Sequence, residues 1–296
     1  MQHINFKKIL VPTDFSETAK ISLEHVKWLA STFSSEVTLL HVGEITPAAN
    51  IFPSLYIPEN DLNAEYSDLA LRKLAEWKTE LEEKGISKIN IEYADGNVAE
   101  TISKYAVENE IDIIVMGTHG SKGLSEFFIG SNAFKLVNLV DLPVLTINNR
   151  NTYSPYKKIV APLDDSRFSR AKFPYIAELA LKIGSEVDII TPNVSDAGVN
   201  HAISICYDQV SSFLKSKNVI HHHKSIEGNL AHEVIKYAEY AKADLIVIMS
   251  ETETTISQVL LGSMAQQVVN HSVVPVITLH PEDKGELMDM VVMPGT

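Results

Sequence analysis

The chain repeats itself, and no other feature constrains its fold as much. Lys8-Ile9-Leu10-Val11-Pro12-Thr13-Asp14-Phe15-Ser16 returns 150 positions later as Lys158-Ile159-Val160-Ala161-Pro162-Leu163-Asp164-Asp165-Ser166. Ser35-Glu36-Val37 returns as Ser185-Glu186-Val187 at the same offset. Further on the offset falls to 132. There Gly96-Asn97-Val98-Ala99 matches Gly228-Asn229-Leu230-Ala231, and Asp112-Ile113-Ile114-Val115 matches Asp244-Leu245-Ile246-Val247. Gly130-Ser131 matches Gly262-Ser263, and Leu142-Pro143-Val144-Leu145-Thr146 matches Val274-Pro275-Val276-Ile277-Thr278. Two constant offsets over most of both halves mean that one structural unit occurs twice. The 296 residues accommodate two domains of ordinary size. The expected division is 1–150, 151–281 and a C-terminal tail of 282–296, with the polar, proline-ended run 148–155 as linker. The drop in offset places an insertion in the first copy between residues 43 and 95. Its proline-rich part, 43–60, carries Ile51, Phe52, Leu55 and Tyr56 and suits a lid or a contact surface.

Within each copy, buried strands alternate with amphipathic helices. Ile9–Val11, Val37–Val42, Ile89–Tyr93, Ile113–Met116 and Pro143–Ile147 read as strands. Ser16 is a candidate N-cap with Glu17 in the first turn, and Ile21, Val26, Leu29 and Phe33 follow at helical spacing. Residues 61–83 read as a long charged helix whose acidic positions form a solvated face. Alternation of this kind predicts an α/β fold: two tandem doubly wound parallel five-stranded sheets in the order 3-2-1-4-5. Ligands of such sheets bind outside the carboxyl ends of the strands, where the strand order reverses. The loops meeting there are Pro12-Thr13-Asp14 and Gly117-Thr118-His119-Gly120.

The second of these loops carries the chemistry. Gly117 and Gly120 let backbone N–H groups approach an anion, and Gly130-Ser131 opens a helix whose free N–H groups and dipole favour phosphate. Two such clusters bracketing one crevice suit a diphosphate or triphosphate chain. No G-x-G-x-x-G follows the first strand, and no G-x-x-x-x-G-K-[ST] occurs.

The spacing Gly-x2-Gly-x9-Gly-Ser after a buried fourth strand resembles the ATP-binding motif of the universal stress protein family. The opening Lys-Ile-Leu-Val-Pro-Thr-Asp-Phe-Ser and His41-Val42 at the end of the second strand resemble it too. The resemblance spans residues 5–148 and 156–280 and implies a Rossmann-like fold of the adenine-nucleotide alpha hydrolase type. It implies that Pro12, Thr13, Asp14 and Val42 surround adenine and ribose. Met116, Gly117, His119, Gly120, Gly130, Ser131 and Asn132 would line the phosphate path. ATP is the implied ligand, with Mg2+ held by its phosphates and no metal cage from the protein. The family habit of pairing through the last strand implies an intrachain pseudo-dimer through 144–147 and 276–279, and leaves room for a homodimer.

The second copy departs from this pattern. Met249 and Thr252 stand where Gly117 and Gly120 stand in the first copy, and Glu251 and Glu253 enter the same loop. Carboxylates repel phosphate and the added Cβ atoms crowd it, so this copy is expected to bind ATP poorly. The formal net charge of −13 disfavours nucleic acid and anionic membrane as partners. A single cysteine, Cys206, excludes an internal disulfide and suits a reducing, cytoplasmic setting. His221-His222-His223 alternates across a strand and reads as structural rather than metal-binding. The expected function is a nucleotide-dependent stress sensor or interaction module. Alternatives are a slow ATPase, for which His119 and Lys122 supply no catalytic constellation, and a structural partner that binds no nucleotide.

Overall fold

The computed structural model describes residues 4–43, 59–118, 130–151, 153–250 and 262–280, with side chains of 59–63 outside that description. The chain separates into two compact units, one of Asn5–Tyr153 and one that begins at Ser154 and also takes in Ile4.

In the first unit the strands are β1 (Lys8–Pro12), β2 (Glu36–Gly43), β3 (Ile89–Asp95), β4 (Ile113–Gly117) and β5 (Val144–Ile147). The helices are α1 (Glu17–Phe33), α2 (Glu59–Glu83), α3 (Val98–Glu108) and α4 (Ser131–Leu139). The strands pair in parallel in the order β3-β2-β1-β4-β5. Ile9, Leu10, Val11, Val37, Leu39, Ile113, Ile114 and Val115 are almost fully buried, because a parallel sheet with helical crossovers is covered on both faces. Along the terminal strand β3 only Ile89 is buried, and half-buried positions alternate with exposed ones over Asn90–Tyr93.

The second unit repeats this plan. β6 (Lys158–Pro162), β7 (Glu186–Asn193), β8 (His221–Glu227), β9 (Leu245–Met249) and β10 (Val276–Leu279) pair in the order β10-β9-β6-β7-β8. Its helices are α5 (Arg167–Ala171), α6 (Phe173–Ile183), α7 (Ala197–Ser216), α8 (Leu230–Tyr240) and α9 (Ser263–His271). The repeat extends to individual hydrogen bonds. The Ser35 hydroxyl donates to the Phe6 carbonyl, and the Ser185 hydroxyl donates to the Tyr156 carbonyl. Asp112 accepts the Lys8 N–H at 2.8 Å, and Asp244 accepts the Lys158 N–H at 2.9 Å.

Ser16 caps α1, its Oγ accepting from Ala19 N at 3.2 Å. Ser16→Ala is expected to cost about 1 kcal/mol, read as a lower denaturation midpoint. The long helix starts at Glu59, two residues before the sequence reading. Its acidic face is not wholly solvated: Glu80 meets both Lys20 of α1 and Lys84, and Lys84 also meets Glu24 at 2.5 Å.

Two differences separate the copies. In the second, β7 ends at Asn193 and α7 begins at Ala197, capped by Asp196. In the first, β2 ends at Gly43 and α2 begins at Glu59, and α2 is longer, 25 residues against 20. Residues 44–58 of the insertion lie outside the described residues. The second difference is unexpected. The helix equivalent to α1 is broken into α5 and α6. Pro174, where the first copy has Glu24, lacks the N–H that would reach back to the Arg170 carbonyl. The Lys172 N–H takes that carbonyl instead.

Candidate functional site

The candidate site lies at the carboxyl ends of β1, β2 and β4. Thr13 follows β1 directly, and all three of its polar groups are engaged. Its N–H donates to the Leu40 carbonyl at 2.9 Å, and its Oγ1 accepts from Phe15 N at 2.9 Å. Its carbonyl accepts from His41 Nδ1 at 2.7 Å. Asp14 is exposed, and its Oδ1 accepts from Ser16 N at 3.0 Å. The carboxylate therefore shapes the turn, while Ser16 caps the helix.

Phe15 adopts φ 61°, a left-handed conformation that costs a non-glycine residue roughly 1–2 kcal/mol. Its ring is clamped from several sides. It stacks on His41 with centroids 4.7 Å apart, meets Trp77 edge-on at 5.6 Å, and lies under the Lys73 ammonium at 5.2 Å. Aromatic pairs of this kind contribute roughly 0.5–1.5 kcal/mol each, which offsets the strained turn. His41 is buried, and its Nε2 lies 3.2 Å from the Tyr66 hydroxyl. Tyr93, opposite His41 in the β2–β3 register, donates to Asp95 at 2.6 Å. Burial first, and then this bond to a carboxylate, push the Tyr93 hydroxyl's pKa well above its ordinary value.

Val42 and Met116 are buried at the ends of β2 and β4. Gly117 closes β4, and packing constrains it as well. A Cβ there would stand 3.0 Å from Thr18 Cγ2 and 3.2 Å from Ala19 N. The absent side chain makes room for the first turn of α1, whatever it also does for a ligand. Thr118 is buried, and its carbonyl accepts the Gly130 N–H at 2.5 Å. That bond brings the two ends of the glycine loop together. Gly130 is the N-cap of α4, with no side-chain cap and no acidic residue in the first turn. Ser131 is exposed and Asn132 half-buried beside it. His119, Gly120 and Lys122 lie outside the described residues, so the structure brings together Pro12, Thr13, Asp14, Val42, Met116, Gly117, Gly130, Ser131 and Asn132. Sequence reasoning missed the clamp around Phe15. Its one visible signal was His41 beside Val42, read only as part of a motif.

In the second unit the equivalent crevice is built differently. Met249 replaces Gly117 and is buried. Lys172, in place of Ser22, is 1% exposed, with Nζ donating to Ser169 O at 2.9 Å and to Ser169 Oγ at 3.1 Å. Ser169 Oγ also accepts from Asp164 N at 3.2 Å, so a buried ammonium underlies the loop after β6. Asp165, in place of Phe15, is absent from the described left-handed residues. Gly262 caps α9 without a side-chain bond, as Gly130 does α4. Thr252, Glu251 and Glu253 lie outside the described residues. On β8, His221 bonds Ser211 of α7 at 2.9 Å and His223 stacks on Tyr207 at 3.9 Å. His222 faces Glu186 on the other side. Cys206 is buried, and burial pushes its thiol pKa up.

Fold and site together define a class: tandem doubly wound α/β units with a glycine loop and a helix N-terminus at the switch point of the first. The universal stress protein family model matches residues 5–148 and 155–280, and the chain belongs to that family. It is 35% identical over 161 residues to universal stress protein MJ0577 of Methanocaldococcus jannaschii, covering 50% of this chain and 99% of that one. Over 290 residues it is 20% identical to universal stress protein Slr1230 of Synechocystis, covering 92% of this chain and 99% of that one. A solved universal stress protein from Archaeoglobus fulgidus matches the fold with a TM-score of 0.77 at 20% identity, over 94% of this chain and 99% of that one. Among the described residues, no helix is long and apolar enough to cross a membrane.

Proposed function

We propose that the first copy binds ATP and that the protein is a nucleotide-dependent stress-response module. The observation that carries this reading is the uncapped N-terminus of α4, tied at Gly130 to the Thr118 carbonyl beside the switch point. The first N–H groups of a helix have no intrahelical partner, and together with the helix dipole they suit phosphate at that place. In this reading Pro12, Thr13, Asp14 and Val42 surround adenine and ribose. Met116, Gly117, His119, Gly120, Gly130, Ser131 and Asn132 line the phosphates, which hold any Mg2+ themselves. The second copy, with Met249 and Thr252 in place of the two glycines and Glu251 and Glu253 beside them, takes ATP poorly.

Calorimetry on the full chain tests this. One ATP per chain is expected, with Asp14→Ala weakening binding roughly tenfold or more, the effect of losing a hydrogen bond to a charged group. Absence of binding heat, together with no nucleotide released from the denatured purified protein, would overturn the reading. Two ATP per chain would overturn the assignment of the second copy.

A further inference from the structure

We propose that His41 and Tyr66 are positioning residues that couple the loop Thr13–Ser16 to helix α2, making α2 the element that responds to the first-copy site.

The chemistry fixes the direction of the first bond, and that sets the second in a neutral ring. The Thr13 carbonyl can only accept, so His41 Nδ1 carries the hydrogen in the 2.7 Å contact between them. In the neutral ring, Nε2 is then an acceptor, and the Tyr66 hydroxyl donates to it at 3.2 Å. A continuous chain thus runs from the backbone of the site loop through a buried imidazole to a residue of α2. The Phe15 ring makes a second, independent connection. It stacks on His41 and meets Trp77 and Lys73, both on α2.

Both connections end on a segment of backbone with little freedom. The Thr13 N–H, carbonyl and Oγ1 are all bonded, and Phe15 is held at a positive φ. A small rotation of the Thr13–Asp14 peptide therefore cannot be absorbed locally. It must lengthen the bond to His41 or tilt the Phe15 ring, and either change is felt at Tyr66 or Trp77. By linkage, a change imposed on α2 must act back on the loop.

The second copy replaces both side chains that make these connections. Thr191 stands where His41 stands and bonds His223 at 2.9 Å. Asp165 replaces Phe15, and its carbonyl meets Cys206 Sγ of α7 at 4.0 Å in place of a ring contact. The connection therefore belongs to the copy that retains the glycine loop, and α2 is also the helix that follows the insertion.

The dependence on nucleotide rests on the ATP site proposed above, whereas the mechanical coupling does not. Hydrogen–deuterium exchange on the full chain separates the two. Tyr66 is 50% exposed, so Tyr66→Phe removes the donor without opening the core. Without nucleotide, Tyr66→Phe is expected to speed exchange in 13–19 roughly fivefold, the fold-change of one neutral hydrogen bond, with global stability lowered by no more than that one bond. Leu69→Ala, an exposed position on the same helix, is the control and should leave 13–19 unchanged. Unaltered exchange in the Tyr66→Phe loop, or equal acceleration by Leu69→Ala, overturns the coupling. With ATP added, the wild-type protein should slow at 13–19 and at 64–77, whereas Tyr66→Phe should slow fully at 13–19 and less than wild type at 64–77, the Phe15 contacts with Trp77 and Lys73 remaining. Protection of the loop without α2 in wild type overturns the coupling and leaves the ATP site standing. Protection nowhere overturns the ATP site, and the nucleotide-free comparison still decides the coupling.

Discussion

Gly117→Met is expected to destabilise the first unit by roughly 1–3 kcal/mol, the cost of overpacking a close contact, and to abolish ATP binding. The obstacle is backbone as well as side chain. A Cβ at this position would lie 3.2 Å from Ala19 N and 3.3 Å from the Thr18 carbonyl carbon, and a methionine adds three heavy atoms beyond it. The first turn of α1 would have to lift, and that turn is continuous with Thr13 and Asp14. The second copy holds methionine here beside a first helix that breaks after Ala171, whereas α1 runs unbroken from Glu17 to Phe33. Denaturation monitored alongside calorimetry checks both effects. A Gly117→Met protein with wild-type midpoint and ATP affinity would show that α1 yields at no cost. The same geometry makes glycine-to-alanine changes here poor probes of phosphate contact, since lost packing and lost ligand would read alike. Ser131, exposed at the start of α4, separates the two.

The second large effect is expected from acid. His25 is fully buried in α1, edge-on to Tyr153 at 5.6 Å, and burial depresses its pKa to about 4, with Glu24 opposing. In the unfolded chain the same ring titrates near 6.5. The unfolded state therefore takes the proton first as pH falls. Stability from this group is complete above about pH 6.5 and is lost progressively down to about pH 4. The gap corresponds to about 3 kcal/mol at 1.36 kcal/mol per pKa unit. Stability measured from pH 7 to pH 4 should fall accordingly in wild type, and the slope should flatten in His25→Phe. Equal slopes in the two proteins would exclude His25 as the source.

Much of the fold was legible in the residues. Offsets of 150 and 132 located two copies, and period-two and period-3.6 patterns located their strands and helices. Ser16 as N-cap, and the opposed faces of His221 and His222, followed from local rules that tertiary contacts left intact. The broken helix of the second copy was also written in the sequence, in Pro174, but a single proline inside a periodic segment is outweighed when the copies are matched by offset. Glu80 misled for a different reason. Its neighbours in sequence suggest a solvated face, while its partner Lys20 comes from another helix.

The glycine loop shows the same limit at the site. Spacing marked Gly117 as special, and spacing alone favoured a phosphate contact. Only the folded chain brings Thr18 and Ala19 against it, because helix-to-strand distances are set by packing and not by sequence separation. The clamp on Phe15 was equally invisible, since it gathers His41, Tyr66, Lys73 and Trp77 from β2 and α2. The sequence by itself determined the tandem repeat, the strand–helix alternation and the loss of two glycines in the second copy, all of which are local or periodic properties. The tertiary structure decided what those glycines touch and how the site loop is held, because both depend on long-range contacts that form only when β1, β2, β4, α1 and α2 pack together.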